Sequence, residues 1–120
     1  AGEGDYFASS RLTRTQARDE AVSTLKELSE SDTADQSAKD DAAAQISALA
    51  DDTVAEANIE SLIRAKGYED AVVMLGDGSA NIVVAPPDGG LQAEDVAVIR
   101  DIVISETGMT AGQIKIVEAS

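Results

Sequence analysis

Adjacent carboxylates are the residues of this sequence whose type and spacing come nearest to catalysis. Asp40-Asp41, Asp51-Asp52, Glu69-Asp70 and Glu94-Asp95 would divide acid and base roles if their surroundings drove their pKa values apart. All four pairs fall at expected helix ends or in polar loops, where water keeps both members ionised. With 23 acidic residues in 120, such pairs arise by chance. We expect them to be structural. An acid-dependent hydrolase would need two buried carboxylates about 5–10 Å apart in a cleft.

Other chemistry is thinner still. Asp77-Gly78-Ser79-Ala80-Asn81 resembles the start of a calcium loop, but the pattern needs Gly where Ile82 stands and Glu where Asp88 stands. A hairpin turn is the better reading. The chain contains no His and no Cys, which removes the commonest general base, the usual zinc ligands, thiol catalysis and disulfides. Ser9-Ser10 and the threonines have no histidine to activate them, and no phosphate-binding glycine loop occurs. The expectation is no enzyme, no cofactor and no metal.

The formal charge is −14, from 9 Lys+Arg against 23 Asp+Glu, spread evenly along the chain. No basic stretch offers a footprint for nucleic acid or anionic lipid. An RNA-binding KH-type module shares the αββαβ order, yet its GXXG loop is missing and Gly89-Gly90 follows an Asp. Such a field suits a basic partner surface, or simply solubility.

These residues must be positioned by a single small core. A chain of 120 residues buries about two thirds of its unfolded surface, enough without metals or crosslinks. Its only aromatics are Tyr6, Phe7 and Tyr68, so aliphatic side chains must fill the interior. Thr13 with Gln16, Thr33 with Gln36 and Thr53 with Glu56 stand in capping-box spacing and predict three helices. The first carries Ala17, Ala21, Val22, Leu25 and Leu28 as a narrow stripe and could begin as early as Phe7. The second carries Ala38, Ala42, Ile46 and Leu49. Asp51-Asp52-Thr53 then either restarts the chain, as the Thr53–Glu56 match favours, or is absorbed into one longer helix. The segment beyond carries Val54, Ile59, Leu62 and Ile63 and stops at Gly67.

From residue 70 the period changes to that of strands. Ala71–Leu75 and Ile82–Ala85 flank Asp77-Gly78, a hairpin signal in which both turn residues accept positive φ. Pro86-Pro87 ends the second run by removing two ladder donors. A helix over Gln92–Thr107 follows, with Val96, Ile99 and Val103 on one face and Val98 and Ile104 off it. Gly108 ends it, and Ile114–Val117 makes a third strand. The predicted fold is α+β: N-terminal helices over residues 1–50, then an αββαβ module over 51–120, with a three-stranded sheet and its helices on one face.

Surface is then the place to seek function. Ala17, Val22 and Leu25 on the first helix and Val98 and Ile104 on the late one are apolar positions that a small sheet need not cover. Val84 and Ile116 mark the strands expected to leave an edge open to another chain. No apolar run approaches the roughly 20 residues of a membrane span. The opening Ala1-Gly2-Glu3-Gly4 lacks Met and has the look of a trimmed start, leaving room for an upstream anchor.

Several segments carry a resemblance. Asp5-Tyr6-Phe7-Ala8-Ser9-Ser10-Arg11-Leu12-Thr13-Arg14, Gln16–Ala21, Asn58–Asp70 and Val96–Gly108 are similar to the stage III sporulation protein AH family of endospore-forming bacteria. The most specific parts are the Tyr-Phe-x-x-x-Arg-Leu lead-in and the Ile-Glu-x-Leu-Ile-x-x-x-Gly-Tyr-Glu-Asp segment. The likeness spans about residues 5–118 and departs at Ser29–Ala50, at the short hairpin and at Pro86–Gly90.

The resemblance implies an ectodomain anchored by one pass in the mother cell's outer forespore membrane, facing the space between mother cell and forespore. It implies a ring-building module like those of secretion systems, which binds a stage II sporulation protein Q-like forespore partner to form a channel. It carries over no catalytic residues. The alternative is a generic regulatory or ligand-binding α+β module of another envelope assembly, which a well-formed apolar pocket with convergent polar groups would favour.

Overall fold

The computed structural model describes residues 3–76 and 78–119, with side chains from Tyr6 onward. Ala1, Gly2, Asp77 and Ser120 lie outside them, and with them part of the expected start and of the expected hairpin turn.

Two long helices open the chain: Asp51-Asp52-Thr53 is absorbed into one longer helix, the alternative to the favoured restart. Helix α1 spans Glu3–Ser29 and α2 spans Gln36–Ala65. None of the three predicted capping boxes starts a helix. Thr13 sits inside α1, and α2 takes Asp35 as its N-cap, whose carboxylate accepts the Ala38 N–H at 2.9 Å. Thr33 shares a 3.0 Å hydrogen bond with the Ser31 hydroxyl instead. Thr53 lies within α2 and donates back to the Leu49 carbonyl at 2.9 Å, the bond that lets threonine sit in a helix interior. Alanines at 42–44, 48, 50, 55 and 57 carry the helix through Asp51-Asp52. A boundary at 50/51 therefore falls inside α2. Gly67 follows its end with φ +103°, the left-handed residue expected there.

Strand β1 (Ala71–Gly76) turns back into β2 (Ser79–Val84) with Gly78 at φ +73°. Helix α3 (Ala93–Thr107) then crosses over to β3 (Ile114–Glu118), which lies parallel to β2. Parallel neighbours need such a crossover. The order is β1-β2-β3, so β2 is the central strand. Val84 was expected at a free edge; it is instead paired on both sides and wholly buried. A helical return over the sheet delivers β3 to the one side of β2 that the hairpin leaves open.

Pleat alternation sorts the side chains. Ala71, Val73, Leu75, Ala80, Ile82 and Val84 meet Ile59 and Ile63 of α2 and Ile99 and Val103 of α3 in the main core. The other face holds a smaller cluster, Val72, Val83, Ala85 and Ala119, closed by Phe7 of α1. Helices α2 and α3 thus cover one face, as predicted, while α1 reaches past the β1 edge to the second face. The paired helices outrun the sheet, and the molecule measures 57 × 33 × 20 Å.

Candidate protein-interaction site

The most elaborate polar arrangement lies where α1, α2 and the outer edge of β1 meet. Arg11, Arg14 and Arg18 recur on one face of α1, and Glu56 and Glu60 recur on the facing side of α2. Both glutamates are buried. Glu60 takes the Arg14 guanidinium at 2.6 Å and Arg11 at 3.3 Å, while Glu56 pairs with Arg18 and, at 3.5 Å, with Arg14. The same carboxylates accept backbone N–H groups from the strand, Val73 to Glu60 at 2.9 Å and Leu75 to Glu56 at 2.8 Å. Arg14 donates to the Val73 carbonyl at 2.6 Å, and Arg11 donates to that of Ala71. Charged side chains from two helices therefore occupy the positions a fourth strand would take.

Two buried carboxylates were the condition for a hydrolase, and Glu56 and Glu60 meet only half of it. Their oxygens are already taken by guanidinium and amide donors, and neither lines a cleft. A general acid or base needs a free proton-exchanging position; this arrangement instead fixes three elements to one another.

The predicted acidic pairs are scattered. Asp40, Asp41, Asp51, Glu69 and Glu94 are exposed. Asp52 is half-buried, and its carboxyl is raised by desolvation, with Glu56 and Asp51 adding and Arg18 opposing. Partial burial would raise Asp70 too, but hydrogen bonds from Arg11, the Ala71 N–H and Arg64 outweigh it and hold the carboxyl below its usual range. Asp95 receives the Tyr68 hydroxyl at 2.5 Å and the Gln92 N–H at 2.8 Å, both lowering its pKa. Desolvation and that bond push the Tyr68 phenol up to about 12. Asp70 and Asp95 each secure an element end. Among the described residues no group of three acids gathers as a metal site would require.

The apolar candidates lie on separate faces. Ala17 borders a groove of about 600 Å³ between α1, α2 and Met74, lined also by Tyr6, Arg14 and Leu49. Val22 borders a smaller one of about 260 Å³ with Ile46, and Leu25 is half-buried farther along α1. Val98 lines a third, of about 340 Å³, with Leu62 and Ile102 between α2 and α3. Ile104 sits on the opposite flank of α3, since six residues at about 100° each carry it away from Val98 across the buried Ile99–Val103 stripe. Ile116 is half-buried on β3, which among the described residues has no strand on its outer side. Sequence reasoning missed Arg11, Arg18, Glu56 and Glu60 as a unit. Their signal was present as one-face spacing of like charges on two helices.

No curated protein matches this sequence significantly. Among solved structures, a chain of the SpoIIQ-SpoIIIAH pore-forming complex is 27% identical, with 96% of this chain and 98% of that one superposed at a TM-score of 0.84. EscJ, a type III secretion system protein of enteropathogenic E. coli, shares the fold over 63% of this chain and 51% of its own, at 23% identity and a TM-score of 0.55. The family model described as SpoIIIAH-like protein matches residues 1–116, and the chain belongs to that family.

Proposed function

We propose that this chain is a sporulation interaction domain that binds a SpoIIQ-like forespore protein and assembles with it into a ring lining a channel. In this reading it stands in the space between mother cell and forespore, held by a single-pass anchor in the outer forespore membrane. It catalyses nothing. The observation that carries the proposal is near full-length agreement with a chain of the SpoIIQ-SpoIIIAH complex. Supporting it, the two buried carboxylates, Glu56 and Glu60, are engaged in holding elements together. The strongly negative charge suits a partner with a basic surface.

Size-exclusion chromatography of this domain with the SpoIIQ-like ectodomain of the same organism tests the reading. Co-elution at concentrations on the order of tens of micromolar is expected for a contact of standard size, about 1,200–2,000 Å². Separate elution under those conditions overturns it. A ligand-binding module is the second reading, favoured by the Ala17 groove, whose volume of about 600 Å³ falls in the small-molecule range. That groove is open along its length, and its two charged lining residues, Arg14 and Arg18, are already engaged by Glu56 and Glu60, so the interaction reading stands first.

A further inference from the structure

Helix α1 is attached to the molecule by a different chemistry from the other elements. The main core is drawn from α2, β1, β2 and α3, with α2, α3, β3 and loop side chains packed against it; none of these residues belongs to α1. From Tyr6 onward, Phe7 is the only residue of α1 that is fully buried, and it sits in the smaller cluster. The rest of the hold on the sheet end is ionic. Arg11 meets Asp70, Glu60 and the Ala71 carbonyl; Arg14 meets Glu60, Glu56 and the Val73 carbonyl; Arg18 meets Glu56 and Thr53. Phe7, Arg11, Arg14 and Arg18 recur at helical spacing and form one row. Beyond them Val22 and Leu25 are only half-buried, and in the facing part of α2, residues 36–52, only Ala42 is buried.

Such a row can be withdrawn without stranding a charge. Deleting one member of a buried pair leaves the other unpaired at high cost, whereas lifting the whole helix admits water to both members together. Glu56 and Glu60 belong to α2 and keep the Leu75 and Val73 N–H groups when α1 is gone. Strand β1 therefore stays tied to α2 and to β2. The detached helix does not fare as well. Most of the stability of a protein helix comes from tertiary packing, so α1 loses helix once it is free.

We propose that α1 is a releasable strap, which opens as one unit from a core that stays folded and pivots on the link at residues 30–35. Its N-terminal end lies against the sheet, where Phe7 seats, so a pull on that end undoes Phe7, Arg11, Arg14 and Arg18 in turn. The 27 residues of α1 span about 40 Å even while helical, and release adds that length between the core and the chain before α1. The opening is a property of this fold and goes beyond the partner reading. Only its use, as slack between the core and the proposed anchor, rests on that reading.

Two NMR measurements on the full chain alone, without membrane or partner, test it. In native-state amide exchange, Ala17, Ala21 and Leu25 of α1 exchange together through one opening, about a hundredfold or more faster than Ile82 and Val83 of the central strand. In the second, Phe7→Asp combined with Arg14→Asp sets like charge against Glu56 and Glu60 and drives the strap open. The double variant loses the helical circular dichroism of α1, while the Ile82, Val83 and Ile99 amides keep their native shifts. Equal rates in α1 and β2 overturn the strap, as do α1 rates that fall steadily from its ends inward, which is fraying. A double variant that loses its β2 amides along with α1 shows a single cooperative unit, and one that keeps α1 protected shows a helix held by something else; either overturns the proposal. None of these results touches partner binding, which co-elution reads separately.

Discussion

Leu75 on β1 donates its backbone N–H to the carboxylate of Glu56 on α2 at 2.8 Å, and that carboxylate is wholly buried. A helix side chain thus does the work of a neighbouring strand. Charge makes the substitute strong, because Arg18 and Arg14 hold the same carboxylate from the other side. Glu56→Ala leaves a strand amide and two guanidinium groups without their shared acceptor. The expected loss is about 3–5 kcal/mol, read as a lower urea midpoint by circular dichroism. Glu56→Gln should lose less, since one oxygen remains, but its amide group faces an arginine donor. A Glu56→Ala midpoint equal to wild type would show that the buried pair holds nothing together.

Asp70 gives the acid dependence its sign. Its folded carboxyl lies below the unfolded value of 3.8 because Arg11, the Ala71 N–H and Arg64 outweigh desolvation. A depressed carboxylate contributes stability that is present above the unfolded pKa and disappears as pH falls through the folded one. Asp70→Asn should therefore cost up to about 1 kcal/mol at neutral pH, less at high salt, and the gap from wild type should close below pH 3.8. A gap that persists unchanged into acid assigns the effect to packing.

The second half of the chain announced itself more plainly than the first. Strands β1–β3 were readable because β-branched runs of period two stand between turn residues, and Gly67 and Gly108 take the left-handed conformation that ends a helix. The starts of α1 and α2 were not, whereas that of α3 was expected at Gln92, its N-cap. A Ser/Thr-x-x-Glu/Gln match is local and cheap, whereas α1 extends back to Glu3 so that Phe7 can seat on Val72 and Val83, far along the sequence. The Arg–Glu arrangement was hidden for a related reason. A charged helix face ordinarily meets water, and nothing near Arg14 or Glu60 in sequence says that a strand edge will need their donors and acceptors. Val84 was misplaced because strand order depends on the crossover, which local pattern does not specify.

Gly108 separates backbone strain from crowding. It ends α3 at φ +74° and donates its N–H to the Ile104 carbonyl at 2.8 Å. A Cβ placed there meets nothing within 4 Å, so any cost of Gly108→Ala comes from the left-handed conformation. The expected loss is about 1 kcal/mol, read from the urea midpoint, and Gly108→Asn should recover part of it because Asn tolerates this region. Equal losses for Ala and Asn would point away from conformational strain.

Tyr68 is expected to set the alkaline limit of the α2–α3 junction. The chain leaves α2 at Gly67, and the next residue's hydroxyl reaches Asp95 in the first turn of α3, where the same carboxylate caps Gln92. Desolvation and the neighbouring carboxylate disfavour phenolate, raising Tyr68 from 10.0 to about 12. With the folded pKa above the unfolded one, the contribution to stability is complete below pH 10.0 and is lost as pH rises toward 12. Deprotonation also sets phenolate against carboxylate, so the contact becomes repulsive. Spectrophotometric titration should show a tyrosine ionising near pH 12 in the folded chain, and Tyr68→Phe should remove that phase. The Phe variant should also lose the extra alkaline destabilisation above pH 10. If Tyr68 titrates instead at its ordinary value, the hydroxyl does not reach Asp95 in solution and the junction is held by apolar packing alone.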